Sequence, residues 1–168
     1  ILEKVRNTSY EQILSEKILK PANLSNSGIS FEIAKIPNHV SGYQKNRFFE
    51  YEPEGQVNIK IAQSAGGLYS TSEDLFKFAR AVFKGKILSP KFVQQMTSPQ
   101  ILERDKTYPD RSYAFGWHVD SAKIGNQKVK FIEHGGNING FQSLLTYLPE
   151  KQITIAFLVN TDYVFEFQ

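Results

Sequence analysis

The chain changes its hydrophobic period once along its length. In the first half, apolar residues recur at helical spacing: Ile13, Leu14 and Ile18 share one helical face, and a wider apolar face covers residues 75–83. From Ser112 onward, apolar and polar residues alternate, which is typical of strands with one buried face. Helices followed by a run of strands predict an α+β fold.

The predicted helices carry start and stop signals. Ser-Tyr-Glu-Gln at residues 9–12 and Ser-Thr-Ser-Glu at 70–73 are capping boxes. Pro21 is expected to end the first of these helices, and Gly85 to follow the second in a left-handed conformation. Ser89-Pro90 is an N-cap followed by proline at the first helical position. Residues 1–5, 72–84 and 90–97 are therefore predicted to be helical.

Four strands are predicted in the second half, at residues 112–119, 127–133, 141–148 and 153–160. Gly125-Asn126 and residues 149–152 supply short turns, so neighbouring strands should run antiparallel in a meander. Between these elements and the first helices the pattern is weak, although residues 31–36 and 56–61 alternate as short strands or extended segments do.

Composition narrows the function classes. Hydrophobic residues make up 40% of the 168 positions, which suits one domain with a core. The net charge of +3 comes with scattered lysines and argues against a nucleic-acid partner. The sequence has no cysteine, which excludes disulfides, zinc-thiolate sites and a cysteine nucleophile. His39, His118 and His134 lack metal-ligand spacing, so neither a metal nor another cofactor is expected. The longest apolar run, residues 153–159, is too short to cross a bilayer.

His134 is the first candidate for chemistry. It follows a predicted strand and precedes Gly135 and Gly136, which would let a ligand approach a sheet edge closely. Histidine can donate a hydrogen bond or a proton near neutral pH. The backbone N–H of Asn137, after the glycines, could donate to an oxyanion in the same space. From this segment alone, a strand-end histidine without a role stays an open alternative.

A second candidate is the segment Ala62-Gln-Ser64-Ala-Gly66, which is close to a Gly-x-Ser-x-Gly nucleophile elbow. An aspartate and then His134 would complete the Ser, Asp, His order of an α/β-hydrolase. However, alanine replaces the first glycine, and the predicted strands do not alternate with helices. The aspartates in question are Asp105, Asp110 and Asp120.

Several segments, in order along the chain, resemble one enzyme superfamily. They are Ser9-Tyr-Glu-Gln with Ile18-Leu-Lys-Pro21, the Ser-Ala-Gly-Gly-Leu-Tyr-Ser-Thr-Ser-Glu-Asp-Leu segment that begins at Ser64, Lys84-Gly-Lys-Ile-Leu-Ser-Pro90, Tyr113-Ala-Phe-Gly-Trp-His118, and His134-Gly-Gly-Asn-x-x-Gly-Phe-x-Ser. Together they resemble class C β-lactamases and related D-Ala-D-Ala carboxypeptidases and esterases, within the serine β-lactamase and penicillin-binding-protein superfamily. The resemblance implies that residues 1–168 are the C-terminal part of a single β-lactamase/transpeptidase-like domain.

The chemistry of that superfamily depends on Ser-x-x-Lys, a Ser/Tyr-x-Asn element and a third motif, Lys-Thr-Gly. By the resemblance, His134 takes the place of the third motif's lysine, and Gly135 and Gly136 keep the strand edge open. Asn137 would donate its N–H to the oxyanion, and Asn139 would contact substrate. No serine in this sequence has a lysine three residues later, and neither Tyr-x-Asn nor Ser-x-Asn occurs. No nucleophile is therefore assigned within the chain.

The resemblance implies a parent serine hydrolase that acts on a β-lactam, a D-Ala-D-Ala peptide or an ester. The chain alone, without the nucleophile, is expected to be inactive. A non-catalytic binding or regulatory module on the same scaffold is the alternative. A bacterial, extracytoplasmic location follows from the resemblance alone. Apolar surface left uncovered is expected to favour self-association or pairing with a complementary N-terminal fragment.

Overall fold

A computed structural model describes residues 1–30, 36–55, 59–104 and 107–161. Its helices are Leu2–Arg6 (α1), Tyr10–Leu14 (α2), a π-helical turn at Ser15–Leu19, Lys20–Ala22 (α3), Ile59–Gly66 (α4), Ser72–Phe83 (α5) and Pro90–Met96 (α6). Its strands are Gly28–Ile29 (β1), Tyr43–Lys45 (β2), Tyr51–Pro53 (β3), Leu68–Tyr69 (β4), Ile101–Leu102 (β5), Ser112–Tyr113 (β6), His118–Ile124 (β7), Gln127–Ile138 (β8), Phe141–Leu148 (β9) and Ile153–Val159 (β10). The α+β class predicted from the sequence is confirmed.

Six strands form one antiparallel sheet in the order β10-β9-β8-β7-β6-β5. Neighbours in sequence are neighbours in the sheet, so the predicted meander is confirmed. Gly125 has φ 60° in the β7–β8 turn, and Gln152 has φ 54° in the β9–β10 turn. The pairs β1–β4 and β2–β3 form two smaller sheets, which the hydrophobic pattern does not predict.

The core lies where one face of the sheet packs against α5. Trp117, Ile132 and Tyr147 are buried there, and Ala79 of α5 has no exposed surface. Phe83 of α5 stacks on Tyr147 with ring centroids 4.1 Å apart and meets Trp117 at 5.4 Å. Aromatic contacts of this kind join the helix to the sheet. Most of the predicted apolar face of α5 is therefore turned toward the sheet, although Phe76 stays 41% exposed.

The first long helix continues past the residue that was expected to end it. Pro21 lies in the first turn of α3, and the chain leaves the helix only at Asn23, which is left-handed with φ 57°. The π-helical turn explains the continuation: the Lys20 N–H reaches the Ser15 carbonyl, five residues back. This wider turn accommodates a proline, which has no N–H to donate.

The start of α5 at Ser72 matches the prediction, but the capping residue differs. Thr71, rather than Ser70, is the N-cap, because its Oγ1 accepts a hydrogen bond from the Asp74 N–H at 3.2 Å. The Ser70 hydroxyl instead lies 2.8 Å from the Ser27 hydroxyl. The side chain therefore joins the loop before β1 to the start of α5.

The predicted strand at residues 112–119 is in fact two strands joined by a turn. Gly116 has φ 78°, a conformation that favours glycine, and the Ala114 N–H donates to the Trp117 carbonyl at 2.8 Å. The turn reverses the chain, so that Tyr113 on β6 pairs with His118 on β7. A simple alternation of side chains does not reveal this reversal.

The weakly patterned region is only partly described. Residues 59–61 belong to the helix α4, although their alternation predicts an extended segment. The remainder of that segment, residues 56–58, lies outside the described residues, as do 31–35 and 162–168. None of the described helices is long and apolar enough to cross a membrane.

Strand β10 lies at one edge of the large sheet, and one of its faces is partly exposed. Ile153, Ile155 and Phe157 alternate along it, and each keeps 40–50% of its surface exposed. The expectation of self-association concerns uncovered apolar surface of this kind. That expectation remains a prediction.

Candidate functional site

The candidate site lies where β8 extends beyond its neighbour β7. Pairing of these strands ends with His118 opposite Glu133, whereas β8 continues to Ile138 against β9. Residues 134–137 are therefore inside a strand, and the predicted strand end at residue 133 is wrong. Glycines without side chains give no alternation to read, but their backbone still pairs with β9. Within the described residues, the opposite edge of this extension has no partner strand.

The register of β8 and β9 decides which backbone groups point to that open edge. A two-residue turn joins the strands, with φ 74° at Gly140, and Ile138 faces Phe141 across it. Such a closing pair exchanges hydrogen bonds, and hydrogen-bonded pairs alternate with non-hydrogen-bonded pairs along an antiparallel ladder. Asn137 and Gly135 therefore direct their backbone N–H and C=O groups away from β9, toward the open edge.

The two glycines differ in what a side chain would meet. A Cβ on Gly135 would contact only the Ser143 carbonyl oxygen, at an ordinary 3.5 Å, whereas a Cβ on Gly136 would lie 2.7 Å from Ser143 Oγ. Packing within the described residues therefore does not require glycine at position 135, and its small size leaves room at the open edge. Asn139 is exposed in the turn, and its role as a substrate contact stays a prediction.

Two hydrogen bonds orient the exposed His134 side chain. Its Nδ1 lies 2.6 Å from the Gly135 carbonyl oxygen, and its Nε2 lies 3.2 Å from Tyr113 Oη. A carbonyl oxygen can only accept, so Nδ1 carries a proton. In the neutral imidazole, Nε2 is then an acceptor, and the Tyr113 hydroxyl donates to it.

A network of charged side chains supports this end of the sheet. His118 Nδ1 donates to Glu103 Oε2 at 2.8 Å, and Arg111 Nη2 donates to Glu133 Oε1 at 2.9 Å. Thr146 Oγ1 donates to the other oxygen of Glu133 at 3.3 Å. Arg111 Nε lies 3.3 Å from Glu103 Oε2, within ion-pair range but without hydrogen-bond alignment. Sequence reasoning missed this network, because cross-strand register rather than any spacing assembles it.

The α/β-hydrolase arrangement is not found among the described residues. Ser64 lies in the second part of α4, directly after a kink at Gln63 (φ 37°), instead of at a turn from strand to helix, and the large sheet is antiparallel. Asp110 and Asp120 have partners other than His134, and Asp105 lies outside the described residues. In the part of the chain that the structure describes, no three His, Asp or Glu side chains come together as metal ligands.

Comparison with protein-family models identifies the family of the chain. The model described as Beta-lactamase matches residues 1–168, the whole chain. The chain belongs to the beta-lactamase family. Its relatives are the class C-like serine β-lactamases and penicillin-binding proteins, so the superfamily resemblance carried by the motifs is confirmed.

Relatives of this family member are considerably longer than 168 residues. Penicillin-binding protein 4* of Bacillus subtilis (strain 168) is 21% identical over 180 residues, which cover 100% of this chain and 38% of that protein. A D-stereospecific amidohydrolase from Streptomyces sp. has a TM-score of 0.81 at 28% identity, covering 95% of this chain and 46% of the other. A class C beta-lactamase mutant has a TM-score of 0.68 at 18% identity, covering 96% and 50%. The chain thus spans half or less of these relatives.

Proposed function

We propose that the chain forms one wall of the active site of a serine hydrolase that acylates a serine and hydrolyses an amide or ester bond. The observation that carries this proposal is the open edge of β8, where His134 and the Asn137 N–H lie three residues apart on one exposed segment. Asn137 would be one oxyanion donor, and His134 would polarise or contact the substrate. Gly135 and Gly136 would allow an extended substrate to approach the backbone.

The substrate class that we propose is a β-lactam, a D-Ala-D-Ala peptide or an ester. It draws on the relatives of the chain, which include penicillin-binding proteins, β-lactamases and a D-stereospecific amidohydrolase. His134 in place of the third motif's lysine argues against a dedicated β-lactamase, because lysine supplies a permanent cation for a substrate carboxylate. The nucleophile would lie outside these 168 residues, so the chain alone is predicted to be inactive.

The test uses the protein encoded by the complete reading frame that contains these residues. Its second-order rate constant of acylation by a fluorescent penicillin is measured for the wild type and for His134→Ala. We expect His134→Ala to lower this rate constant about 10²-fold, within the range for a positioned proton donor or acceptor. His39→Ala, which removes an exposed histidine packed edge-on against Phe141, is the matched control and should leave the rate constant unchanged.

Two outcomes would contradict the proposal. One is a reading frame without Ser-x-x-Lys, which would favour the non-catalytic module instead. The other is a His134→Ala variant that is acylated as fast as the wild type.

A further inference from the structure

Tyr113 reaches the candidate site through the fold rather than through a motif. The turn between β6 and β7 places it opposite His118, and its Oη lies 3.2 Å from His134 Nε2. The His118 ring packs edge-on against Tyr113, with centroids 4.9 Å apart, and lies 5.5 Å from the His134 ring. Glu103 fixes His118 in turn through the 2.8 Å contact with Nδ1. The three rings therefore support one another, and His134 is the exposed member.

We propose that Tyr113 is a positioning residue of the candidate active site, whose hydroxyl group acts together with the Gly135 carbonyl to hold His134 as the Nδ1–H tautomer and orients its ring at the open edge of β8. The proton assignment needs only the two contacts of His134, since the Gly135 carbonyl must accept from Nδ1. The Tyr113 hydroxyl is the group within reach that can satisfy Nε2 as an acceptor. The tautomer of His134 does not depend on the proposed function. Only the effect of Tyr113 on the reaction rests on it.

The pair has two hydrogen-bonded forms, and only the protonated one presents a donor to substrate. While His134 is neutral, the Tyr113 O–H donates to Nε2. When the imidazole gains a proton, Nε2–H donates to Tyr113 Oη instead, and the hydroxyl hydrogen is released to a new acceptor. An anionic or carbonyl group at the open edge would then meet a hydroxyl group backed by an imidazolium.

The charged and titratable groups around this pair come from several elements. Glu103 follows β5, Arg111 precedes β6, His118 begins β7 and Glu133 lies on β8. They are engaged with one another through the His118–Glu103 and Arg111–Glu133 contacts. Tyr113 contributes the hydrogen bond from His134 toward this network, and its ring packs on His118, which Glu103 holds.

Nuclear magnetic resonance of the ¹⁵N-labelled histidine rings tests the tautomer directly in the 168-residue chain. In the wild type, at a pH where the imidazole is neutral, we expect His134 to show a protonated Nδ1 and an unprotonated Nε2. Tyr113→Phe removes one oxygen atom, and the two His134 nitrogens should then move toward the averaged shifts of mixed tautomers. Tyr10→Phe, on α2, is the matched control and should change neither nitrogen. Unchanged His134 nitrogens in Tyr113→Phe would overturn the proposal.

His118 is an internal control for the fold. Because Glu103 holds its Nδ1, the His118 nitrogens should keep their wild-type shifts in Tyr113→Phe. If the His118 nitrogen shifts also change, Glu103→Gln provides the second variant. In Glu103→Gln the His118 shifts should change, whereas His134 should keep its tautomer because Tyr113 is intact. Loss of the His134 tautomer in Glu103→Gln, with Tyr113 in place, would count against Tyr113 as the residue that fixes it.

A kinetic arm separates this proposal from the proposed function. In the protein from the complete reading frame, Tyr113→Phe should lower the rate constant of penicillin acylation about tenfold, the effect of one hydrogen bond of about 1.4 kcal/mol. The pH profile of that rate constant should also change, which a loss of stability alone would not cause. A wild type that is never acylated overturns the proposed function while the tautomer result stands. An acylated wild type with Tyr113→Phe at the same rate and pH profile overturns the role of Tyr113 alone.

Discussion

Replacing Trp117 with alanine is expected to lower the free energy of unfolding by about 3–5 kcal/mol, the range for truncation of a large aromatic side chain in a core. Only 6% of Trp117 is exposed, and its ring meets Phe83 of α5 at 5.4 Å. Its loss would leave a cavity between the helix and the sheet. It would also loosen the turn that brings Tyr113 back beside His118. Urea unfolding measures the change. It is followed by far-ultraviolet circular dichroism, because Trp117→Ala removes the one tryptophan of the sequence.

Phe115 offers a matched control within the same turn. It is 59% exposed, so Phe115→Ala should change the free energy of unfolding by no more than about 0.5 kcal/mol. A Trp117→Ala variant as stable as Phe115→Ala would show that α5 does not pack on the sheet as described.

Replacing Asp74 with alanine is expected to cost about 2–3 kcal/mol of stability, because a fully buried carboxylate loses hydrogen bonds to three donors, one of which is the Lys77 ammonium at 3.3 Å. Asp74 Oδ2 accepts from the Asn26 N–H at 2.7 Å and from the Ser27 hydroxyl at 2.9 Å. These bonds attach the loop before β1 to the start of α5. Thermal and urea unfolding of Asp74→Ala check the expected loss.

The neighbouring Glu73 is the control for charge at the same helix end. Its side chain is 72% exposed and forms a hydrogen-bonded ion pair with Lys77 at 2.8 Å, an exposed contact of the kind that contributes little to stability. The hydrogen bond from Lys77 to Glu73 raises the pKa of Lys77 above its ordinary value, and Asp74 adds a smaller effect in the same direction. Desolvation opposes the rise. The small stabilisation is therefore present below the ordinary lysine pKa and is lost only as pH rises above it. Equal losses in Glu73→Gln and Asp74→Ala would contradict the buried role of Asp74.

The sheet is largely predictable because its strands alternate and its turns carry strong signals. The strand at 141–148 has the predicted bounds, since Gly140 and Pro149 flank a run of alternating side chains. The end of β8 is not predictable in this way. Two consecutive glycines give no hydrophobic pattern, and pairing with β9 alone extends the strand to Ile138. The π-helical turn before Pro21 is likewise a local backbone adjustment that leaves no periodic trace.

Only the residues of the His134–Asn137 segment of the candidate site are predictable from the sequence. His134 and Asn137 are found from the sequence because they belong to one continuous motif. Tyr113, Glu103 and Arg111 are not found, because they reach this edge through a tight turn and the register of separate strands. Hydrophobic period carries no information about which polar residues on different strands become neighbours.

The most direct test of the central claim, that His134–Asn137 is one wall of a serine hydrolase site, is the location of a penicillin adduct. The protein from the complete reading frame is treated with penicillin, digested and mapped by mass spectrometry, with the 168-residue chain treated in parallel. We predict one adduct, on the serine of a Ser-x-x-Lys sequence outside these residues, and none on the chain alone. An adduct on any serine within residues 1–168, or a Ser-x-x-Lys protein that is never acylated, would contradict the account.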